Sequence, residues 1–183
     1  MKLATRVYIP LALLLLTVAD CAVGQELDNS NFPGRRALVI NNCPHVQLSA
    51  FSYGNGYDRG GTRFHQDLTW KNIGTLPIVA FEVVILKYDP FNRRLIGTKW
   101  TVTGKDSADW RPLDPGQSGT DGTRGYGDEE VFTAIAYVRF ARLADGSIWT
   151  ANDADLTAQL RALDTGIREF GDLKPDPKPT APK

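Results

Sequence analysis

The sequence predicts an all-β fold: an immunoglobulin-like antiparallel β-sandwich of about seven strands followed by a C-terminal amphipathic helix. Three observations predict it. Two runs, 78–88 and 131–143, are apolar on both faces, as strands covered from both sides must be. The segment 64–71 alternates with period two, which describes a strand with one wet face. Glycine and proline turns punctuate about 105 residues (46–150), close to the length of such a sandwich.

Taken in order, residues 25–45 form a polar leader with Pro33-Gly34 and Arg35-Arg36, expected to be loosely ordered. The first strand is 46–53, with Val46, Leu48 and Ala50 on one face, and Gly54-Asn55-Gly56 and Gly60-Gly61 break it. In 64–71, Phe64, Gln66, Leu68 and Trp70 share one face, and His65, Asp67, Thr69 and Lys71 the other. Asn72-Ile73-Gly74 turns the chain into 78–88, where Val79, Phe81, Val83 and Ile85 oppose Ile78, Ala80, Val84, Leu86 and Tyr88, interrupted by Glu82. Asp89-Pro90-Phe91-Asn92 is turn chemistry. A strand at 95–102 follows, then a type II turn at Asp114-Pro115-Gly116 and a glycine-rich loop at 119–127. Asp145-Gly146 returns 131–143 as a tight hairpin through Ile148 and Trp149.

Asn152 is a helix N-cap, and Leu156, Leu160, Leu163, Ile167 and Phe170 lay one apolar stripe along a helix over 152–170. That stripe is the expected cover for the outer face of the two-faced strands, with a partner protein as the rival cover. Residues 171–183, rich in Pro and Lys, are expected to be an extended, disordered tail.

The domain proper is therefore 46–151. Lys2 and Arg6 precede an apolar run at 7–19 that is too short to span a bilayer, so 1–24 reads as a secretory signal peptide. The expected location is extracytoplasmic, periplasmic or secreted. Cleavage after Gly24 is preferred and leaves Cys43 alone; cleavage after Ala19 keeps Cys21 and permits one disulfide. A lipidated Cys21 is a third reading, which Asp20 fits poorly. The 21 basic and 21 acidic residues include Lys2, Arg6 and Asp20, so the mature chain carries a net charge of −1. That balance argues against nucleic acid or an anionic membrane as partner.

The turn and strand motifs Asn72-Ile73-Gly74, Tyr88-Asp89, Leu95-Ile96-Gly97 and Pro115-Gly116 resemble the FxLYD-type, immunoglobulin-like domains of bacterial extracytoplasmic proteins, with Ile85 and Lys87 at the signature's apolar positions. The resemblance covers 46–151. It implies an accessory or binding role and supplies no catalytic residue.

Strand parity places loops 54–61, 89–94 and 119–128 at one end, and the turns 72–77 and 144–146 at the other. Tyr57, Arg59, Arg93, Arg124 and Tyr126 gather at the first end, and tyrosine with arginine is contact chemistry. Solvated turns are the competing reading. Trp110, in a polar segment, is a further candidate, whereas Trp100 and Trp149 suit core packing. His45 and His65 offer no ligand spacing, and no nucleophile, metal set or phosphate loop is visible, so neither enzyme activity nor a cofactor or metal is expected. The sequence points to a module that binds another extracytoplasmic protein or assembles with one. The alternative is a carbohydrate- or envelope-polymer-binding module using Trp110, Tyr57 and Tyr126.

Overall fold

The computed structural model describes residues 25–27, 35–58, 61–103, 111–125 and 130–170. The strands are β1 (Gln25–Leu27), β2 (Arg36–Ile40), β3 (Val46–Asp58), β4 (Gly61–Asn72), β5 (Ile78–Tyr88), β6 (Arg94–Thr103), β7 (Ser118–Gly125), β8 (Thr133–Leu143) and β9 (Ile148–Thr150). One helix, α1 (Asp153–Leu163), follows. The protein is all-β in two sheets: a large one in the order β1-β2-β8-β5-β6, with β9 also on β8, and a small one in the order β3-β4-β7. Every pairing is antiparallel except β2 with β8.

The two faces of the large sheet enter two separate cores. Phe81, Val83, Ile85, Ala134, Ala136 and Val138 meet Leu48, Phe51, Leu68 and Trp70 of the small sheet. On the opposite face Leu38, Ile40, Val84, Leu86, Ile135 and Tyr137 pack with Leu156 and Leu160 of α1. Two irregularities in the β5–β8 ladder adjust this pattern. One shift lies between Ile78 and Ala80 and puts Ile78 among the residues facing the small sheet. The other, between Glu82 and Val83, leaves Arg139 unpaired in the register, and beyond it Ala141 and Leu143 turn inward.

The bulged strand β8 carries two short neighbours on one edge. Residues 36–40 pair with 133–137, and 148–150 pair with 140–142. Asn42 fills the gap between them. Its side-chain amide donates to the Val138 carbonyl at 2.9 Å and accepts from the Val138 N–H at 3.2 Å, as a strand residue would. Asn41 does the same for Leu48 of β3, donating to its carbonyl at 3.2 Å and accepting from its N–H at 2.7 Å.

Three expectations are corrected. The leader 25–45 is not loose throughout: Ala37, Leu38, Val39 and Ile40 are fully buried in β2, an apolar run short enough to be hidden by its arginine and asparagine flanks. The glycine-rich stretches at 54–61 and 119–127 are largely strand. There the missing side chains make room for neighbours. A Cβ on Gly119 would stand 2.8 Å from Trp70 Nε1, so only glycine lets β7 lie across that indole. Finally, the helix stops at Leu163. Asp164-Thr165-Gly166 has weak helix propensity, and Asp164 is extended (φ −148°, ψ 108°). Ile167 and Phe170 nevertheless stay buried, so the stripe continues without the helix.

Asn152 caps α1 as its sequence position implies, accepting from the N–H groups of Ala154 (2.9 Å) and Asp155 (3.1 Å). The helix is fastened at both ends by arginines of the sheet beneath. Arg139, 7% exposed, bonds Asp153 and the Ala151 carbonyl, and Arg36 bonds Asp164. Because Leu160 is fully buried, Leu160→Ala should lower unfolding stability by about 2–5 kcal/mol in urea titration. Ala162→Ser, on the exposed face, should change it by less than about 0.5 kcal/mol.

Candidate functional site

Strand β5 ends in a turn whose geometry is set by one buried carboxylate. Asp89 is 3% exposed and accepts from the N–H groups of Phe91 and Arg93, each at 2.8 Å, and from Arg93 Nε at 2.6 Å. Its own N–H donates to the Arg93 carbonyl at 3.0 Å, and its carbonyl accepts from Asn92 N–H at 3.0 Å. Asn92 sits at φ 58°, a left-handed conformation that asparagine tolerates. The loop after α1 backs the turn, since a Cβ on Gly166 would lie 2.8 Å from Asn92 Nδ2.

This scaffold holds Phe91 outward, 76% exposed, with the Arg93 guanidinium 5.2 Å above its ring. The Arg93 side chain is 72% exposed, so it presents a charge as well as a stacked plane. Arg94 lies over Tyr88, 5.7 Å from the ring centre. Burial pushes the Tyr88 hydroxyl up to about 12, against a smaller opposing pull from Arg94.

Of the residues singled out in the sequence, Arg93 is the one whose side chain is described, and it stands at this turn. Tyr57 and Arg124 lie in β3 and β7, opposite Thr62 and His65, with side chains outside the described residues. Arg59, Trp110 and Tyr126 lie outside them altogether. Lys87, near the end of β5, sits 5.6 Å over the Tyr53 ring, so the far part of β3 lies at the same end as the turn. Phe91 was not singled out, because exposure of an aromatic inside turn chemistry leaves no trace in periodicity. The Asp-Pro-x-x-Arg spacing was the available signal.

Trp100 is buried, and Trp149 packs against the core between the sheets. The Cys43 thiol is 4% exposed, and burial raises its pKa, which suppresses the reactive thiolate. Among the described residues no cluster of His, Cys, Asp or Glu could hold a metal, and no helix is long and apolar enough to cross a membrane.

A second concave feature lies at the opposite end of the large sheet. A cleft of about 370 Å³ opens between β6 and the start of β5 on one side and β4 and β7 on the other. Trp70 and Phe81 meet edge to face in its floor, with centroids 5.4 Å apart. Val102, Leu113 and Arg111 join them from the large-sheet side.

No family model and no curated protein matches the chain. Among solved structures it is similar to a hypothetical protein from Peptoclostridium difficile 630, at 12% identity over 67% of this chain and 92% of that one, with a TM-score of 0.48. It is also similar to a protein described as ApaA from Bordetella pertussis, at 13% identity over 57% and 86%, with a TM-score of 0.33.

The turn has a pH signature. Burial opposes ionisation of Asp89, but the N–H and guanidinium bonds from Arg93 and the N–H of Phe91 outweigh it and hold the carboxyl below its ordinary 3.8. A lowered folded-state pKa means the unfolded chain binds more protons, so this contribution is complete above about pH 4 and drains away as pH falls through the lowered value. Denaturation midpoints measured between pH 7 and 2 should fall at the acid end, and Asp89→Asn should flatten that part of the profile.

Proposed function

We propose that the chain is a non-enzymatic, extracytoplasmic module with an immunoglobulin-like sandwich that binds another extracytoplasmic protein. The observation that carries this reading is the Asp89-clamped turn with Phe91 and Arg93 displayed on it. An aromatic ring and a guanidinium in one rigid projection are the side-chain types that dominate binding energy at protein interfaces. Because the carboxylate and two N–H bonds already fix the turn, little conformational entropy remains to be lost on association. The near-zero net balance of the mature chain fits a protein surface better than a polyanion.

The leader at 1–24 supports an extracytoplasmic location. Mature protein used as bait on an extract of its own cell envelope should retain a discrete protein. Phe91→Ala and Arg93→Ala should each weaken that capture at least tenfold; Phe91→Ala should leave the thermal midpoint nearly unchanged, since the ring is exposed, whereas Arg93→Ala strips the guanidinium from Asp89 and should lower it. Capture indifferent to both changes would end the proposal.

A further inference from the structure

The two edges of the large sheet are finished differently. On the β8 side the outermost strands, β1 and β9, are only three residues each, and the gap between β2 and β9 is closed by the Asn42 amide, which satisfies both main-chain groups of Val138. On the other side β6 pairs with β5 alone among the described residues, leaving ten residues with one edge unpaired. A strand edge of this kind is a row of main-chain donors and acceptors ready to pair with another chain. A bulge opposite Ile85–Lys87 and the Arg94 guanidinium on the Leu95 carbonyl blunt the start of β6, whereas 98–103, beside the cleft, keep the regular ladder. Residues 94–103 contain no proline, and Lys99, which could guard the edge, is tied to Glu82 at 3.0 Å. Threonines 98, 101 and 103 give the strand high β propensity.

The cleft lies directly beside this edge, and its volume falls in the range of sites that take a few side chains. Its floor is apolar, with Trp70 and Phe81. Among the described residues the charges at its rim are one of each sign, Arg111 and Asp121, which favours neither a polyanion nor a polycation. Edge and cleft together match the two demands of an extended peptide: main-chain pairing along one side, and a pocket for alternate side chains.

We propose that β6 accepts an extended, uncharged polypeptide segment from another protein as an added strand, with alternate aliphatic side chains seated in the cleft over Trp70 and Phe81. This site is separate from the Phe91 turn. The turn follows the last residue of β5, whereas the cleft is lined by its first four.

The test uses the full mature chain and decapeptides that alternate threonine with valine, leucine or phenylalanine. At least one should bind in calorimetric titration and slow amide hydrogen exchange along 94–103. Alternate N-methylation of the same peptide should abolish binding by removing the pairing N–H groups. Val102→Asp, which charges the cleft wall at a partly buried edge position, should weaken binding at least tenfold. Ala162→Ser, on the exposed face of α1, should leave it unchanged. The proposal is overturned if no decapeptide binds at millimolar concentration or if the N-methylated peptide binds equally well. Protection that appears away from β6, or a chitin hexasaccharide binding where peptides do not, would overturn it too.

Discussion

The constraint on which the structure depends is that β5 and β8 are apolar on both faces, so the large sheet needs two covers. The small sheet supplies one and α1 the other. Neither cover alone suffices, because Leu38, Ile40, Val84, Leu86 and Ile135 would otherwise form a broad greasy face in water. Hydrophobic contact is non-directional, however, and would let a short helix slide on such a face. Arg139–Asp153 and Arg36–Asp164 remove that freedom by fixing the two helix ends to β8 and β2. Their role is therefore registration more than net stabilisation, since a buried charge gives back much of its attraction in lost hydration.

The bulge at Arg139 connects this packing to the edges. With a regular ladder Arg139 would pair across from β5, and Ala141 and Leu143 would point away from the core between the sheets. With the bulge, the outward arginine reaches the helix start and the chain beyond turns back to the core. The same irregularity separates β2 from β9 along β8, and Asn42 repairs the ladder at that point. An asparagine amide is the one small side chain that can both donate to a carbonyl and accept from an N–H in strand geometry.

Much of this was legible in the residues. The two-faced runs gave β5 and β8 nearly to the residue, and the four-and-three spacing of leucines gave the helix and its burial partners. What escaped had a common cause: it depended on a neighbour distant in the chain. The four apolar residues of β2 are too few to show a period, and their burial comes from a parallel partner almost a hundred residues away. Gly119 reads locally as a breaker, yet it is the seat for Trp70. Phe91 and the cleft were invisible for the same reason. Exposure and concavity are properties of the assembled layers, whereas turn chemistry at Asp89 and Gly116 is local and could be read directly.

The cleft itself follows from unequal layers. Four strands of the large sheet, β2, β8, β5 and β6, run side by side, whereas the small sheet has three. Its first strand, β3, lies against β2 and β8, so the deficit falls on the β6 side. There β7 is set back over Trp70 through Gly119, and the space between the last strand of each sheet remains open. A larger residue at position 119 would push β7 outward, and a fourth strand would close the gap. The described residues provide neither, and residues 98–103 of the same edge contain no proline and hold Lys99 on Glu82. An opening produced by layer mismatch thus coincides with a long edge competent to pair, and that coincidence is what distinguishes this side of the molecule from the one that ends in the three-residue strands β1 and β9.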